Sequence, residues 1–219
     1  MKRAAKITIG AVVMALSITS LAAGTTESVE LSFGAMQPGQ PPTGFEFGRT
    51  GQGAVGQWIV VDDRTADGNR ALVQTSQDRT DFRFPLAIYG GLSAKNVEVT
   101  IRFKPLSGSV DQAGGIAIRV SSPENYYVVR ADALEDNVAF YRVVKGRRQE
   151  IAGARAKIAA NEWHLLGLKA DDNHFAISFD GKHLYTAKDA AIAGPGRVGL
   201  WTKADSVTSF DRISIRPLP

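Results

Sequence analysis

The sequence contains no cysteine and only three histidines. Without cysteine the chain cannot form disulfides, zinc ribbons, a thiol nucleophile or a lipid anchor on a cysteine. The histidines, His164, His174 and His183, do not have the spacing of metal ligands. A P-loop and a G-x-S-x-G nucleophile elbow are also missing. We therefore expect no zinc site and no organic cofactor.

The chain has little excess charge of either sign once the N-terminus is set apart. Basic residues at positions 2, 3 and 6 precede an apolar run over 7–21, and small residues follow up to Ala23. This pattern predicts a signal peptide over residues 1–23, cleaved after Ala22 or Ala23. Cleavage removes three of the 26 basic residues and leaves 23 against 22 acidic ones. The high isoelectric point therefore gives no support for nucleic-acid binding. We expect a periplasmic or extracellular protein with no membrane contact after cleavage.

Amphipathic helical patterns are absent after residue 24. Short β-branched and aromatic runs replace them, separated by Gly, Asp, Asn and Pro. The clearest run is 96–105, where Val97, Val99, Ile101 and Phe103 alternate with polar residues, as in a half-buried antiparallel strand. The other predicted strands are 29–33, 58–61, 70–74, 83–89, 115–120, 126–131, 138–144, 163–168, 175–179, 184–187, 198–202 and 207–215.

The turn residues favour antiparallel hairpins. Asp180-Gly181 separates two strand runs and is typical of a type I′ turn, and Lys145-Gly146 carries a weaker form of the same signal. The chain is therefore predicted to be all-β, a single antiparallel β-sandwich of jelly-roll type over residues 57–219. Residues 24–56 are predicted as an N-terminal strand followed by a Gly/Pro-rich surface loop.

Two segments, 96–132 and 194–215, carry recognisable motifs. They include N-Y-Y-x-x-R at 125–130 and G-x-V-G-L-W-T-x-x-D-S at 196–206. With these motifs the chain resembles concanavalin A-like lectin/glucanase sandwiches and, more narrowly, secreted bacterial 3-keto-disaccharide hydrolase-like domains. The resemblance implies a carbohydrate ligand and leaves open whether the protein cleaves a glycosidic bond, because this fold carries lectins, hydrolases and structural modules.

Carboxylates are the candidate catalytic groups. The E-x-D-x-x-E string of laminarinase-type hydrolases, which places carboxylates on one face of a strand, is missing. The nearest cluster contains Asp132 and Glu135, which we take as candidate general acid or base, with Asp111 and Asp205 as second choices. The cluster offers oxygen ligands that would suit Ca²⁺, whereas Asp and Asn here also suit a simple hairpin turn.

Arginine and tyrosine residues on successive predicted strands are candidate substrate-binding groups. Alternation places Tyr126, Arg130 and Asp132 on one face of the 126–132 strand, and Arg119 is expected beside them. Together they would form a polar floor for sugar hydroxyls, with the Tyr126 ring against a sugar C–H face. The alternative is cross-strand charge pairing on a solvated sheet.

Trp201 is the leading aromatic candidate because it lies near a predicted strand end, where loops gather. Its ring would stack on a sugar, with Lys203 and Asp205 as neighbouring polar contacts, or it would pack in the core. Three functions therefore remain open. They are glycan binding on a concave sheet, hydrolysis of 3-keto-glycosides, and protein interaction in the cell envelope. The sequence does not determine the sugar or the oligomeric state.

Overall fold

The computed structural model describes residues 27–219, so the predicted signal peptide lies outside the described residues. Apart from a 3₁₀ turn at Asp67–Asn69, the regular structure is β-strand. The strands are β1 Val29–Ser32, β2 Phe45–Gly51, β3 Trp58–Asp62, β4 Arg70–Gln74, β5 Arg83–Ala94, β6 Val97–Ser107, β7 Ala113–Ser122, β8 Asn125–Asp132, β9 Asn137–Val144, β10 Arg147–Arg155, β11 His164–Asp171, β12 His174–Phe179, β13 Lys182–Lys188, β14 Gly196–Trp201 and β15 Val207–Pro217.

The strands form two antiparallel sheets. The eight-stranded sheet has the order β13-β12-β11-β6-β15-β4-β3, with β1 also paired to β15. The seven-stranded sheet has the order β10-β9-β8-β7-β14-β5-β2. The predicted all-β antiparallel sandwich is therefore confirmed. Within residues 27–219, no helix has the length and apolarity needed to cross a membrane.

Alternation along the strands builds the core between the sheets. In β6, Val97, Val99, Ile101 and Phe103 are at most 1% exposed and pack inward, as predicted. Tyr127, Val129 and Ala131 do the same from β8 in the opposite sheet, because successive side chains of a strand point to opposite faces.

Hairpin turns have the predicted backbone conformation at two places. Asp180 and Gly181 have φ values of 47° and 75°, and Lys145 and Gly146 have φ values of 51° and 73°. Positive φ at both central residues defines the type I′ turn, whose twist matches that of the flanking strands. These turns confirm the predicted β12–β13 hairpin and set the β9–β10 hairpin that borders the candidate site.

Two edge strands were not predicted. Residues 45–51, expected as part of a loop, form β2, and residues 147–155 form β10. Both lie at edges of the seven-stranded sheet. Their side chains show little hydrophobic alternation because an edge strand pairs on one side only and remains largely solvated. A register shift between Glu150 and Ala152 also breaks the period of β10.

The outer face of the seven-stranded sheet is strongly curved. The Arg148 guanidinium of β10 lies 4.6 Å from the ring centroid of Phe84 on β5, although four strands separate β10 from β5. Strands are about 4.8 Å apart in a sheet, so this contact requires the sheet to wrap around that face. We call it the concave face. Its buried apolar side chains are Phe84, Leu86, Ile88, Ala113, Ala117, Val120, Tyr126, Val128, Ala139, Tyr141, Val143 and Trp201.

Candidate functional site

Strand β8 places the predicted residues on the predicted face but not in the predicted environment. Tyr126, Arg130 and Asp132 all point to the concave face, opposite Tyr127 and Val129 in the core. However, these three concave-face residues are only 0–3% exposed. The expectation that they line an open groove is therefore wrong, because neighbouring side chains close over them.

The aromatic candidates form a buried hydrogen-bonded stack. The Trp201 ring lies 5.4 Å from that of Phe84, centroid to centroid, at an interplanar angle of 17°. Its indole Nε1 donates to the Tyr126 hydroxyl over 3.2 Å, and that hydroxyl lies 2.7 Å from Thr50 Oγ1. Burial raises the pKa of the Tyr126 hydroxyl to about 12. The expected stacking of Trp201 or Tyr126 on a sugar is therefore wrong for this conformation.

Arg130 is the centre of a closed polar network. Its Nη1 donates to Asn137 Oδ1 over 2.5 Å, and its Nη2 donates to Glu135 Oε2 over 2.6 Å and to the Tyr141 hydroxyl over 3.2 Å. Asp132 Oδ2 completes the network at 3.4 Å from Nη1. With its side chain 4% exposed, Arg130 has no surface for direct sugar contact, contrary to the prediction. It instead fixes the positions of Glu135 and Asn137.

Asp111 and Asp132 are both buried and lie close together. We call their two carboxyl groups the acid pair. Burial, together with the hydrogen bond to Asp132 and the charge of Asp132, raises the pKa of Asp111 to about 8. Burial also opposes ionisation of Asp132, but its hydrogen bonds, the Arg130 charge and the amides of Leu134 and Glu135 lower its pKa overall. Paired carboxyls with diverging pKa values can act as acid and base. Both residues are at most 1% exposed, so neither reaches a substrate directly.

Lys203 belongs to the same cluster, because its ammonium group contacts the Asp111 carboxyl group. Asp111, Asp132 and Glu135 each place a carboxylate oxygen within 4.8 Å of the others, which is a spacing that a metal ion accepts. Arg130 and Lys203 already supply two positive charges to these three carboxylates. Because Asp111 keeps its proton, these two charges balance the ionised Asp132 and Glu135 without a metal ion. Glu135, with its side chain 46% exposed, is the member that reaches solvent.

Arg119 and Asp205, two further predicted site residues, do not belong to this carboxylate cluster. Arg119 donates to the carbonyls of Lys95, Ile192 and Asp172 at 2.9, 2.7 and 2.5 Å, and it is 1% exposed. Its expected position beside Arg130 is wrong, because its side chain packs towards the inter-sheet core. Asp205 accepts hydrogen bonds from three successive amides, those of residues 109–111, at 2.9 to 3.1 Å. It fixes a loop instead of facing a ligand.

Beside the Arg130 network lies an open cleft of about 220 Å³ on the concave face. We call it the concave cleft. Its lining residues are Asn137, Ala139, Glu150, Gly153, Ala154 and Arg155. Asn137, Glu150 and Arg155 provide an amide, a carboxylate and a guanidinium, while Ala139 and Gly153 leave room between them. Sequence reasoning missed this site because most of it lies on the unpredicted strand β10.

A larger cavity, of about 610 Å³, lies on the opposite face of the same hairpin, beside Arg142, Arg147 and Gln149. There the Arg142 guanidinium already donates to Asp189 over 2.6 Å and to Gln149 over 2.7 Å. The remaining charged groups of this cavity, Lys145 and Arg147, can only donate hydrogen bonds, and Gln149 Oε1 is already used by Arg142. The concave cleft is therefore the stronger candidate site.

Comparison with solved structures identifies the fold. A CBM66 carbohydrate-binding module from Bacillus subtilis matches with a TM-score of 0.60 and 21% identity, covering 78% of this chain and 94% of that chain. A β-glucanase from Bacillus licheniformis matches with a TM-score of 0.56 and 12% identity, covering 89% and 100%. A galectin-like protein of unknown function from Bacillus subtilis matches with a TM-score of 0.56 and 9% identity, covering 78% and 89%.

No family model and no curated protein matches the sequence. The solved structures show a concanavalin A-like lectin/glucanase sandwich, so this part of the resemblance is confirmed. The narrower resemblance to 3-keto-disaccharide hydrolase-like domains stays a prediction. At these identities the likeness establishes the arrangement of strands, while activity has to be argued from the site.

Proposed function

We propose that this concanavalin A-like sandwich is an exported, carbohydrate-binding module whose ligand occupies the concave cleft. Sugar hydroxyls both donate and accept hydrogen bonds. The cleft offers both kinds of partner, since Arg155 donates, Glu150 accepts, and the Asn137 amide does both. Export is inferred from the charged and apolar N-terminal pattern.

The fold supports this proposal without deciding it. A carbohydrate-binding module and a β-glucanase are among the proteins with similar strand arrangements. Sites of this kind need polar groups whose positions are fixed before the ligand arrives. In the present chain, the Asn137 carbonyl oxygen accepts from Arg130 over 2.5 Å and its amide nitrogen donates to Glu135 over 3.0 Å.

One observation carries the proposal. Asn137 belongs both to the lining of the concave cleft and to the buried Arg130 network. It therefore presents its amide to the cleft from a rigid support, whereas Glu150 and Arg155 are exposed and can adjust to a ligand. Ala139 and Gly153 form the floor of the cleft. Because both residues are small, a ligand can approach the sheet closely there.

The test begins with the mature protein on a broad glycan array, followed by calorimetric titration of the sugars that bind. Asn137→Ala removes an amide from the cleft and Glu150→Gln replaces a charged acceptor with a neutral amide, and we expect each to weaken binding about fivefold to tenfold. Glu124→Gln is the matched control, because Glu124 is an exposed carboxylate in the β7–β8 turn. Unchanged affinity in both cleft variants would place the ligand elsewhere, and silence on the array would favour a protein partner.

A second function, cleavage of 3-keto-glycosides, is favoured by the acid pair. A 3-keto group acidifies the neighbouring C–H, so one base can take this proton while the glycosidic C–O bond breaks and a C=C bond forms. The base then gives the proton to the leaving oxygen, and addition of water across the C=C bond completes net hydrolysis. Glu135 is the carboxylate of this cluster that a substrate can reach and is the proposed base, and the buried acid pair lies within 4.8 Å of it. Release of reducing sugar from a 3-keto-glucoside, abolished by Glu135→Gln, would support this activity. Binding without turnover would leave the protein as a binding module.

A further inference from the structure

Strand β10 forms one wall of the concave cleft and contains three arginines. Their side chains have no carboxylate partner in the described part of the chain. Within residues 27–219, Arg147, Arg148 and Arg155 form no ion pair within 4.0 Å, although sixteen such pairs join other side chains there. Arg148 and Arg155 pair in register with Val143 and Asn137, so both point to the concave face. Arg147, the neighbour in sequence, points to the opposite face.

Arg148 has a further unusual feature. Its guanidinium carbon lies 4.6 Å from the Phe84 ring centroid and 4.5 Å from that of Tyr141. The aromatic rings hold the cation in place and shield one side of it from water. Its Nη1 is buried without a hydrogen-bond acceptor, whereas nearly all buried polar groups in proteins have a partner. Among the described residues, its Nε and Nη2 also have no acceptor, but they are not fully buried, so an anionic oxygen can reach them from the concave face.

We infer that the ligand of the concave cleft is an acidic glycan whose sugar units carry carboxylates, an inference that rests on the proposed function. Arg155 lines the cleft, and Arg148 lies on the same face of β10, beyond Glu150. A guanidinium binds a carboxylate through two parallel N–H donors, so each of the two arginines can bind one carboxylate of the glycan. Glu150, between them in sequence, accepts from hydroxyls and repels a carboxylate placed beside it.

The experiment compares a galacturonate oligosaccharide with its methyl ester, which has the same length and ring structure but no charge. In calorimetric titration of the mature protein, we expect the acid form to bind at least about tenfold more tightly than the ester. This advantage is expected to shrink as salt is raised, since exposed charges are screened. Arg155→Gln and Arg148→Gln should each remove most of it. Arg147→Gln, which removes the same charge from the other face of the strand, should preserve it.

The possible outcomes are distinguishable. Equal affinity for acid and ester would overturn the inference and leave the proposed carbohydrate binding intact. Failure of every glycan to bind would overturn both. An equal loss in Arg147→Gln would show general attraction to the basic hairpin and would also overturn the inference, as would a preference for a sulfated glycan without carboxylates. Arg155 is exposed and unpaired, so Arg155→Gln is expected to fold normally even if Arg148→Gln does not.

Discussion

Asp111 and Asp132 place carboxyl oxygens within 4.8 Å of each other beneath the loop end of the concave face. Asp111 Oδ1 and Asp132 Oδ2 have no conventional donor, and both residues are buried. Because its pKa is raised to about 8, Asp111 keeps a proton at neutral pH, and this O–H is a donor available to the pair. The pair therefore remains half-protonated at neutral pH, and the cluster carries less negative charge than its three carboxylates suggest.

This proton makes stability depend on pH. The folded protein keeps the Asp111 proton up to about pH 8, whereas an unperturbed aspartate loses it near pH 3.8. Between these values the folded state binds more protons than the unfolded state, so stability falls as pH rises, by up to about 1.4 kcal/mol per pH unit. The lowered pKa of Asp132 acts below pH 3.8, outside this window.

We therefore expect Asp111→Asn, which stays neutral and can donate to Asp132, to flatten the pH dependence. Urea unfolding at pH 5, 7 and 9 measures the slope for the natural protein and the variant. Glu124→Gln, which removes an exposed carboxylate in the β7–β8 turn, should reproduce the natural slope. Parallel profiles for the natural protein and Asp111→Asn would show that Asp111 is ionised throughout.

Arg119 is expected to be a stability residue. Three carbonyl groups from separate loops accept its hydrogen bonds, and its guanidinium lies 5.4 Å from the Phe175 ring centroid. Arg119→Ala removes a buried side chain and the donors of three hydrogen bonds, so we expect a loss of about 3 kcal/mol in the free energy of unfolding. Arg147→Ala, the exposed control, should cost less than about 0.5 kcal/mol. A small effect at Arg119 accompanied by lost glycan affinity would restore its predicted binding role.

Period-2 alternation was enough to predict most of the scaffold. It placed Val97 to Phe103 of β6 in the core and Tyr126, Arg130 and Asp132 of β8 on one face, because strand geometry alone determines these directions. It failed at Arg119, which has φ of 50° at a register shift between Ile118 and Ser122. The irregularity turns the side chain away from the face that simple counting assigns.

The candidate site was less predictable, because the burial of its residues depends on tertiary contacts. Nothing in the β8 sequence shows that Glu135 and Asn137 will fold back onto Arg130, or that β10 will carry Arg148 across the sheet to Phe84. Those contacts depend on sheet curvature, which develops over several strands. The arginines at 147, 148 and 155 can be read from the sequence. Because no strand was predicted there, they could not be assigned to a face of the sheet.

The N-terminal pattern gives a prediction that is independent of the site. When the full chain is expressed in a bacterium with a signal peptidase, the exported form should begin at Ala23 or Gly24. Intact mass and N-terminal sequencing of the periplasmic or culture fraction measure this directly. A chain lacking residues 2–22 should stay in the cytoplasm. Recovery of the uncleaved chain in the membrane fraction would instead indicate that the apolar run serves as an anchor.

Trp201 distinguishes a packing role from a ligand-stacking role. Its ring is 0% exposed, stacks on Phe84 and donates to the Tyr126 hydroxyl, so Trp201→Phe loses volume and a buried hydrogen bond. We expect a loss of about 1–3 kcal/mol in unfolding free energy, with glycan affinity changed less than twofold. Trp163→Phe is the control, since Trp163 is half-buried and stacks against Arg102 outside the concave face. A tenfold loss of affinity at unchanged stability would mean that the Phe84–Trp201 stack opens to receive a sugar ring.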